Sequence, residues 1–129
     1  MVLAVVAVLA GTALKPPVIH EVFTPLPCPK HQVSTLDIEG CLEQAILKTD
    51  RTINADARAI FNRLRPSARA SFVAGEQAWL RYRNLSCVAE ASKYAGGTAA
   101  GVVAAGCTAD RSRVHVQELA AMLKELRAY

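Results

Sequence analysis

Hydrophobic and polar positions follow a helical pattern over most of the chain. Beyond residue 34, apolar side chains recur at steps of three and four residues, the spacing of one face of an α-helix. Ser34 and Asp37 resemble a capping box at the start of this pattern. The first run predicts one long amphipathic helix with these recurring positions: Leu42, Ala45, Ile46, Thr49, Ile53, Ala57, Ile60, Phe61 and Leu64.

Pro66 separates this helix from the next, because proline disfavours helical geometry in the preceding residue and suits the first position of a helix. The second helix is predicted from residue 66 to about residue 94, and Gly96-Gly97 ends it. A third begins near Thr98, and residues 108–111 contain either a break or a fresh N-cap. The short links predict an all-α antiparallel bundle of three helices, or of four if the break exists.

The window from Glu76 to Cys87 contains neither Gly nor Pro and holds the only Trp of the chain. Trp79, Arg83 and Cys87 are spaced four residues apart, so they share one face of the second helix. Arg83 lies 17 residues after Pro66, and Asp50 lies 16 residues before it, so the two residues are at about the same height in an antiparallel pair of helices. We therefore expect a buried Asp50–Arg83 pair, with Trp79 and Asn54 packed nearby, as a central anchor of the fold.

The first 14 residues are apolar and uncharged, and they are too short for a membrane span of roughly 20 residues. We interpret residues 1–13 as a signal peptide cut after Ala13, although no Lys or Arg precedes the apolar run. The alternative is a buried N-terminal strand or helix. Residues 14–34 contain five of the six prolines, which predicts an extended arm before a helical domain at residues 35–129.

Four cysteines in a short, apparently exported chain predict two disulfides. Cys87 and Cys107 lie at similar distances from the Gly96-Gly97 turn, so they are expected to pair. Cys28 and Cys41 would then join the arm to the first helix. A competing arrangement pairs Cys41 with Cys87, because these residues lie at similar distances from Pro66.

Recognisable catalytic machinery is missing from the sequence. Cys28 and His31 have the spacing of half a zinc site, but no second pair completes it. The three histidines are scattered and lack a neighbouring nucleophile motif. We predict no catalytic residue, no cofactor, no metal and no enzymatic activity. The composition, 52% hydrophobic but only 5% aromatic, agrees with a helical protein packed through small residues.

One combination of residues resembles a known family. The sequence from Gln77 to Arg83 is followed by Cys87, Gly96-Gly97, Cys107 and Glu118-Leu119; upstream lie Asp50, Asn54 and Pro66. This combination, between about residues 41 and 119, resembles the LprI-type lysozyme-inhibitor family of small exported bacterial proteins. The chain departs from that family at Ala57, where Tyr is usual, and at His115, where an Arg is common.

The resemblance implies a periplasmic, envelope or secreted protein that binds a lysozyme and blocks it without catalysis. An alternative is a disulfide-stapled helical adaptor for another envelope protein. A third reading, binding of an anionic polymer, rests on Arg58, Arg63, Arg65 and Arg69, but no nucleic-acid partner is expected for an exported chain. The net charge of +4 does not favour long-range attraction to basic lysozymes. Residues 94–98 and Arg81 are candidate contact positions, and the sequence selects neither.

Overall fold

A computed structural model describes residues 13–129, which form three long α-helices and no strand. Helix α1 spans Thr35–Arg63, α2 spans Pro66–Ala91 and α3 spans Ala99–Arg127; a short 3-10 helix, Ser92–Tyr94, follows α2. The all-α prediction is confirmed. The predicted signal peptide falls on residues 1–13, of which residues 1–12 lie outside the described part of the chain.

Local sequence signals set the helix ends. Ser34 and Asp37 form the expected capping box, in which the Ser34 Oγ accepts a hydrogen bond from the Asp37 backbone amide at 3.2 Å. Pro66 is the first residue of α2. Gly96 has a φ of +88°, a left-handed conformation that glycine adopts without a Cβ penalty. The turn between α2 and α3 therefore depends on this glycine.

Helix α3 is continuous through residues 108–111, so the structure does not support a fourth helix. The Thr108 hydroxyl donates a hydrogen bond to the Ala104 carbonyl oxygen at 2.9 Å. This bond back to the preceding turn satisfies a side chain that could otherwise cap a new helix. The polar stretch after Cys107 is thus accommodated inside one helix.

Helix α3 is the element against which both other helices pack. Ile53, Ala57 and Ile60 of α1 form a buried cluster with Leu119 and Leu123 of α3. These contacts place α1 and α3 parallel to each other. Helix α2, which lies between them in the chain, is antiparallel to both. The order follows from two short connections, which reverse the chain direction twice.

Small residues at the start of α3 allow it to approach α1 closely. A Cβ at Gly101 would meet the Glu39 carboxylate oxygens at 2.5 and 2.6 Å, and one at Gly106 would contact Leu42 at 3.9 Å. The small-residue stretch before Cys107 is therefore explained by packing of α3 against the first two turns of α1.

The N-terminal segment, defined here as residues 13–33, contains neither helix nor strand and runs between α1 and α2. The Ile19 backbone amide donates to Asn54 Oδ1 at 2.8 Å, and Asn54 Nδ2 donates to the Ile19 carbonyl oxygen at 3.2 Å. Farther along, the Leu26 amide donates to Glu43 Oε1 at 2.9 Å. The Ile19 side chain packs against the core. The segment therefore completes the interior between two helices.

Both disulfides follow the preferred prediction. Cys28 pairs with Cys41, with Cα atoms 4.4 Å apart, and Cys87 pairs with Cys107, with Cα atoms 5.5 Å apart. The competing Cys41–Cys87 arrangement is wrong. The first bridge joins the N-terminal segment to α1, and the second joins α2 to α3. On the chain-entropy model each loop stabilises the fold by about 3 kcal/mol.

None of the helices within residues 13–129 is both long and apolar enough to cross a membrane. Their apolar positions are instead interrupted by charged residues on the outward faces.

Two helical glycines provide a matched test of how the N-terminal segment packs. A Cβ at Gly40 would collide with the Pro27 carbonyl oxygen and lie 2.9 Å from that of Leu26, whereas a Cβ at Gly75 would meet no other part of the protein within 4 Å. We expect Gly40→Ala to lower the free energy of unfolding by about 1 to 3 kcal/mol through overpacking. Gly75→Ala should raise it by about 0.5 to 1 kcal/mol, because alanine is the better helix former.

Urea unfolding of the oxidised proteins, followed by circular dichroism, measures both changes. If Gly40→Ala stabilised the protein as much as Gly75→Ala, the close passage of residues 26 and 27 over α1 would be contradicted.

Candidate functional site

A buried polar cluster lies at the junction of the N-terminal segment and the three helices, and Arg83 is its centre. The Arg83 side chain is fully buried. Its Nη2 lies 2.7 Å from Glu21 Oε1, and its Nη1 lies 3.4 Å from Asp50 Oδ1 and 3.2 Å from Ser112 Oγ. Asn84 Oδ1 accepts from Nε at 3.0 Å and from Nη2 at 2.9 Å. One guanidinium thus connects four parts of the fold.

The charges in this cluster do not balance, since two carboxylates, Glu21 and Asp50, face one guanidinium. Burial, and after it the neighbouring Glu21 carboxylate, raise the pKa of Asp50 to about 7, although Arg83 opposes the shift. Asp50 Oδ2 is buried and has no hydrogen-bond partner among the described residues. A carboxylate in this position favours its protonated form, which removes the excess negative charge.

A second buried group adjoins the first along α2 and α3. The rings of Trp79 and His115 are stacked, with centroids 3.8 Å apart and an interplanar angle of 10°. His115 Nε2 lies 2.9 Å from Glu76 Oε2, and Nδ1 lies 3.0 Å from Glu118 Oε2. The Arg83 guanidinium carbon lies 5.6 Å from the centre of the Trp79 ring, so the indole contacts both groups.

His115 is held between two carboxylates. Burial disfavours its charged form, but the hydrogen bonds and negative charges of Glu76 and Glu118 outweigh burial, so the pKa of His115 is raised above its usual value of 6.5. A protonated imidazole donates from both nitrogens, which matches an acceptor on each side. The ring therefore crosslinks α2 to α3 most effectively when it is charged.

The structure brings together some of the residues selected from sequence. Asp50 and Arg83 are paired as expected, and Trp79 packs beside Arg83. Asn54 lies outside the arginine cluster and holds the Ile19 backbone instead. Gln77 is exposed on α2, and Gly96 and Gly97 lie in the α2–α3 turn.

Several contacts of the buried groups were not predicted from the sequence, among them those of Glu21, Ser112 and His115. Glu21 lies in a segment without periodicity, and no spacing indicated that it would reach Arg83, which is 62 positions away. Ser112 and His115 could have been recognised from their positions in the helical pattern. They occupy inward positions of α3, at steps of three and four before Leu119, where apolar residues would be expected.

An open groove of about 470 Å³ lies between the outer parts of α2 and α3. Arg111 crosses it, with Nη1 3.3 Å from the Tyr82 hydroxyl and the guanidinium carbon 5.2 Å from the Tyr82 ring centre. Glu90, Asp110 and Glu118 also line the groove. Within residues 13–129, no group of three His, Cys, Asp or Glu side chains is arranged to hold a metal ion.

The basic positions around the α1–α2 link do not act as one surface. Arg58, Arg63 and Arg65 are exposed. Arg69 instead folds back onto α1, where its Nε donates to the Phe61 carbonyl oxygen at 2.9 Å and its guanidinium lies 4.9 Å from the Phe61 ring centre. Arg69 therefore caps the end of α1, which weakens the anionic-polymer reading.

The sequence profile of the lysozyme inhibitor LprI matches residues 28–119. The chain belongs to the LprI lysozyme inhibitor family. The matched region contains all four cysteines and the α1, α2 and α3 members of the buried groups. It does not contain Glu21, so the carboxylate closest to Arg83 lies outside the matched region. No curated protein and no solved structure matches the chain.

Membership of the LprI family suggests inhibition and a protein partner, and the family is not one of enzymes. The two disulfides are consistent with an oxidising compartment. The buried groups just described are enclosed by helices, so a contact surface for a partner must be sought on the outside of the bundle.

Proposed function

We propose that this protein is an exported inhibitor that binds a wall-degrading lysozyme and blocks it without catalysis, in the periplasm, at the cell envelope or outside the cell. The match to the LprI family over residues 28–119 is the observation that carries the proposal. The two disulfides and the expected signal peptide support export.

In this proposal the residues that carry the family resemblance maintain the scaffold, except Gln77, which is exposed. Asp50, Trp79 and Arg83 hold the helices in a fixed arrangement, and Asn54 fixes the N-terminal segment. Gly96 and Gly97 shape the α2–α3 turn. A rigid scaffold favours inhibition because little conformational entropy is lost when its surface binds.

The net charge of +4 makes long-range attraction to a basic lysozyme weak or repulsive. Binding would therefore depend on local contacts. The cleft of a lysozyme contains two carboxyl groups that act on the glycosidic bond. A cation presented on a narrow, mostly apolar surface is suited to such a cleft, because it pairs with a carboxylate while apolar contacts supply most of the binding energy.

A clearance assay tests the inhibitor function. The purified oxidised protein is mixed with an animal-type or a phage-type lysozyme, and the clearing of a turbid suspension of bacterial walls is timed. We expect clearing to slow as the molar ratio of inhibitor to lysozyme increases. The control is the same protein after reduction and alkylation with a neutral reagent such as iodoacetamide, which retains the net charge but lacks both disulfides.

Equal slowing by the native and the alkylated protein would indicate non-specific coating of the walls and count against a folded inhibitor. Clearance that stays unchanged at high molar excess for both lysozymes would reject inhibition of those enzymes. The alternative, a helical adaptor for another envelope protein, would then be preferred.

A further inference from the structure

The outward face of α2 is a mostly apolar helix surface that the bundle leaves uncovered. α2 buries only Val73, Arg83, Cys87 and Ala91. On the opposite side, exposed residues recur at steps of three and four along the helix. We call them the α2 face: Ala70, Ala74, Gln77, Arg81, Leu85 and Val88. Leu85 and Val88 are 60% and 67% exposed, which is high for large aliphatic side chains.

Arg81 is the one charged residue of the α2 face. It makes no hydrogen bond or ion pair with any residue between 13 and 129 in the structure. The other charged side chains in the body of α2 are engaged or point elsewhere: Glu76 bonds to His115, Arg83 is buried, and Glu90 lines the groove towards α3. A single unpaired cation is thus presented at the middle of a mostly apolar helix face.

The relief of the α2 face is low. Alanines occupy its first half, and a shallow open depression of about 400 Å³, lined in part by Gln77, Arg81 and Leu85, lies along its flank. Beside the face, Tyr82 is also 58% exposed. An arginine and a tyrosine next to exposed aliphatic residues are the composition found at the centres of protein interfaces.

We infer that the α2 face is the surface that enters the lysozyme cleft, with Arg81 directed at its paired carboxylates; this rests on the proposed inhibitor function. Charge complementarity selects this partner, because the face offers one cation and no carboxylate. In a retaining lysozyme the two carboxyl groups are about 5 Å apart, so one guanidinium can contact both. Leu85 and Val88 contact the apolar wall of the cleft.

A second copy of the chain is a poorer occupant of the same face. Two copies that paired about a two-fold axis near the middle of the α2 face would bring Arg81 close to its own equivalent. Like charges without an intervening carboxylate repel each other, and the face supplies none.

A charge reversal at Arg81 tests the inference. We expect Arg81→Glu to weaken inhibition of clearance at least about tenfold, as for a residue at the centre of an interface. The matched control is Arg51→Glu, an equal charge change at an exposed position of α1, which should inhibit as the wild type does. Leu85→Asp should also weaken inhibition. Because these side chains are exposed, all three variants should keep the wild-type melting temperature.

The outcomes separate the surface from the function. If the wild-type protein slows clearance and both Arg81→Glu and Leu85→Asp slow it equally well, the α2 face is not the contact surface, although inhibition is retained. If the wild-type protein does not slow clearance, both the proposed function and this contact surface are rejected. The third outcome concerns a dimer. If sedimentation analysis shows that the wild-type protein is a dimer, and Leu85→Asp dissociates it without loss of inhibition, the α2 face binds a second copy instead.

Discussion

Replacing Arg83 by Met should lower the free energy of unfolding by about 3 to 5 kcal/mol at pH 7.5, the cost of breaking a buried ion pair by removing one partner. Methionine keeps most of the aliphatic stem, so the loss reports on the charge. Without the guanidinium, the Glu21 carboxylate would lose its cation and Asp50 would lose its hydrogen-bond donor inside the fold. Urea unfolding with both disulfides intact measures the change.

Arg81→Met, on the same helix but exposed, is the control and should change stability by less than about 0.5 kcal/mol. Adding Glu21→Gln and Asp50→Asn to Arg83→Met should recover part of the loss, because neutral amides do not require a buried cation. An Arg83→Met protein as stable as Arg81→Met would contradict the role of Arg83 as the centre of the buried cluster.

The protein should be more stable at pH 5 than at pH 8, by roughly 2 to 3 kcal/mol. The pKa of Asp50 is raised from its usual 3.8 to about 7, so the folded state binds a proton that the unfolded state releases. The contribution of Asp50 is therefore complete below about pH 4 and is lost as the pH rises towards 7. The raised pKa of His115 acts in the same direction: its contribution is complete below its usual value of 6.5 and is lost as the pH rises through the raised pKa.

Urea unfolding at pH 5 and at pH 8 checks this prediction. Asp50→Asn should remove most of the difference, because the amide does not titrate. Asp110→Asn, at an exposed position of α3, should leave the wild-type difference in place. Stability that increases from pH 5 to pH 8 would show that the Asp50 carboxylate is ionised in the folded protein and that Arg83 dominates its surroundings.

The helices and their anchor could be predicted because their signals are local. The three-and-four spacing in α1 marks the residues that meet α3, and Pro66 with Gly96 fixes the two reversals of the chain. Once two helices are known to be antiparallel, counting from the turn between them places Asp50 opposite Arg83. The same counting paired Cys87 with Cys107 across the second turn.

The contacts of the N-terminal segment could not be predicted in this way. An extended segment has no helical register to count along, so nothing related Glu21 to Arg83 or Ile19 to Asn54. For His115, the sequence shows only three scattered histidines without a motif. In the structure this ring stacks on Trp79, because an inward position of α3 lies level with it. The α2 face became visible only when burial showed which side of α2 has no neighbour.

The position of the N-terminal segment has a consequence for the order of folding. The contacts of Ile19 with Asn54 span 35 positions and those of Glu21 with Arg83 span 62, and the latter need both α1 and α2 in place. Closing such long loops costs more entropy than forming the helical turns and hairpins. We therefore expect the N-terminal segment to dock after the helices have formed, so that Glu21 reaches Arg83 late in folding.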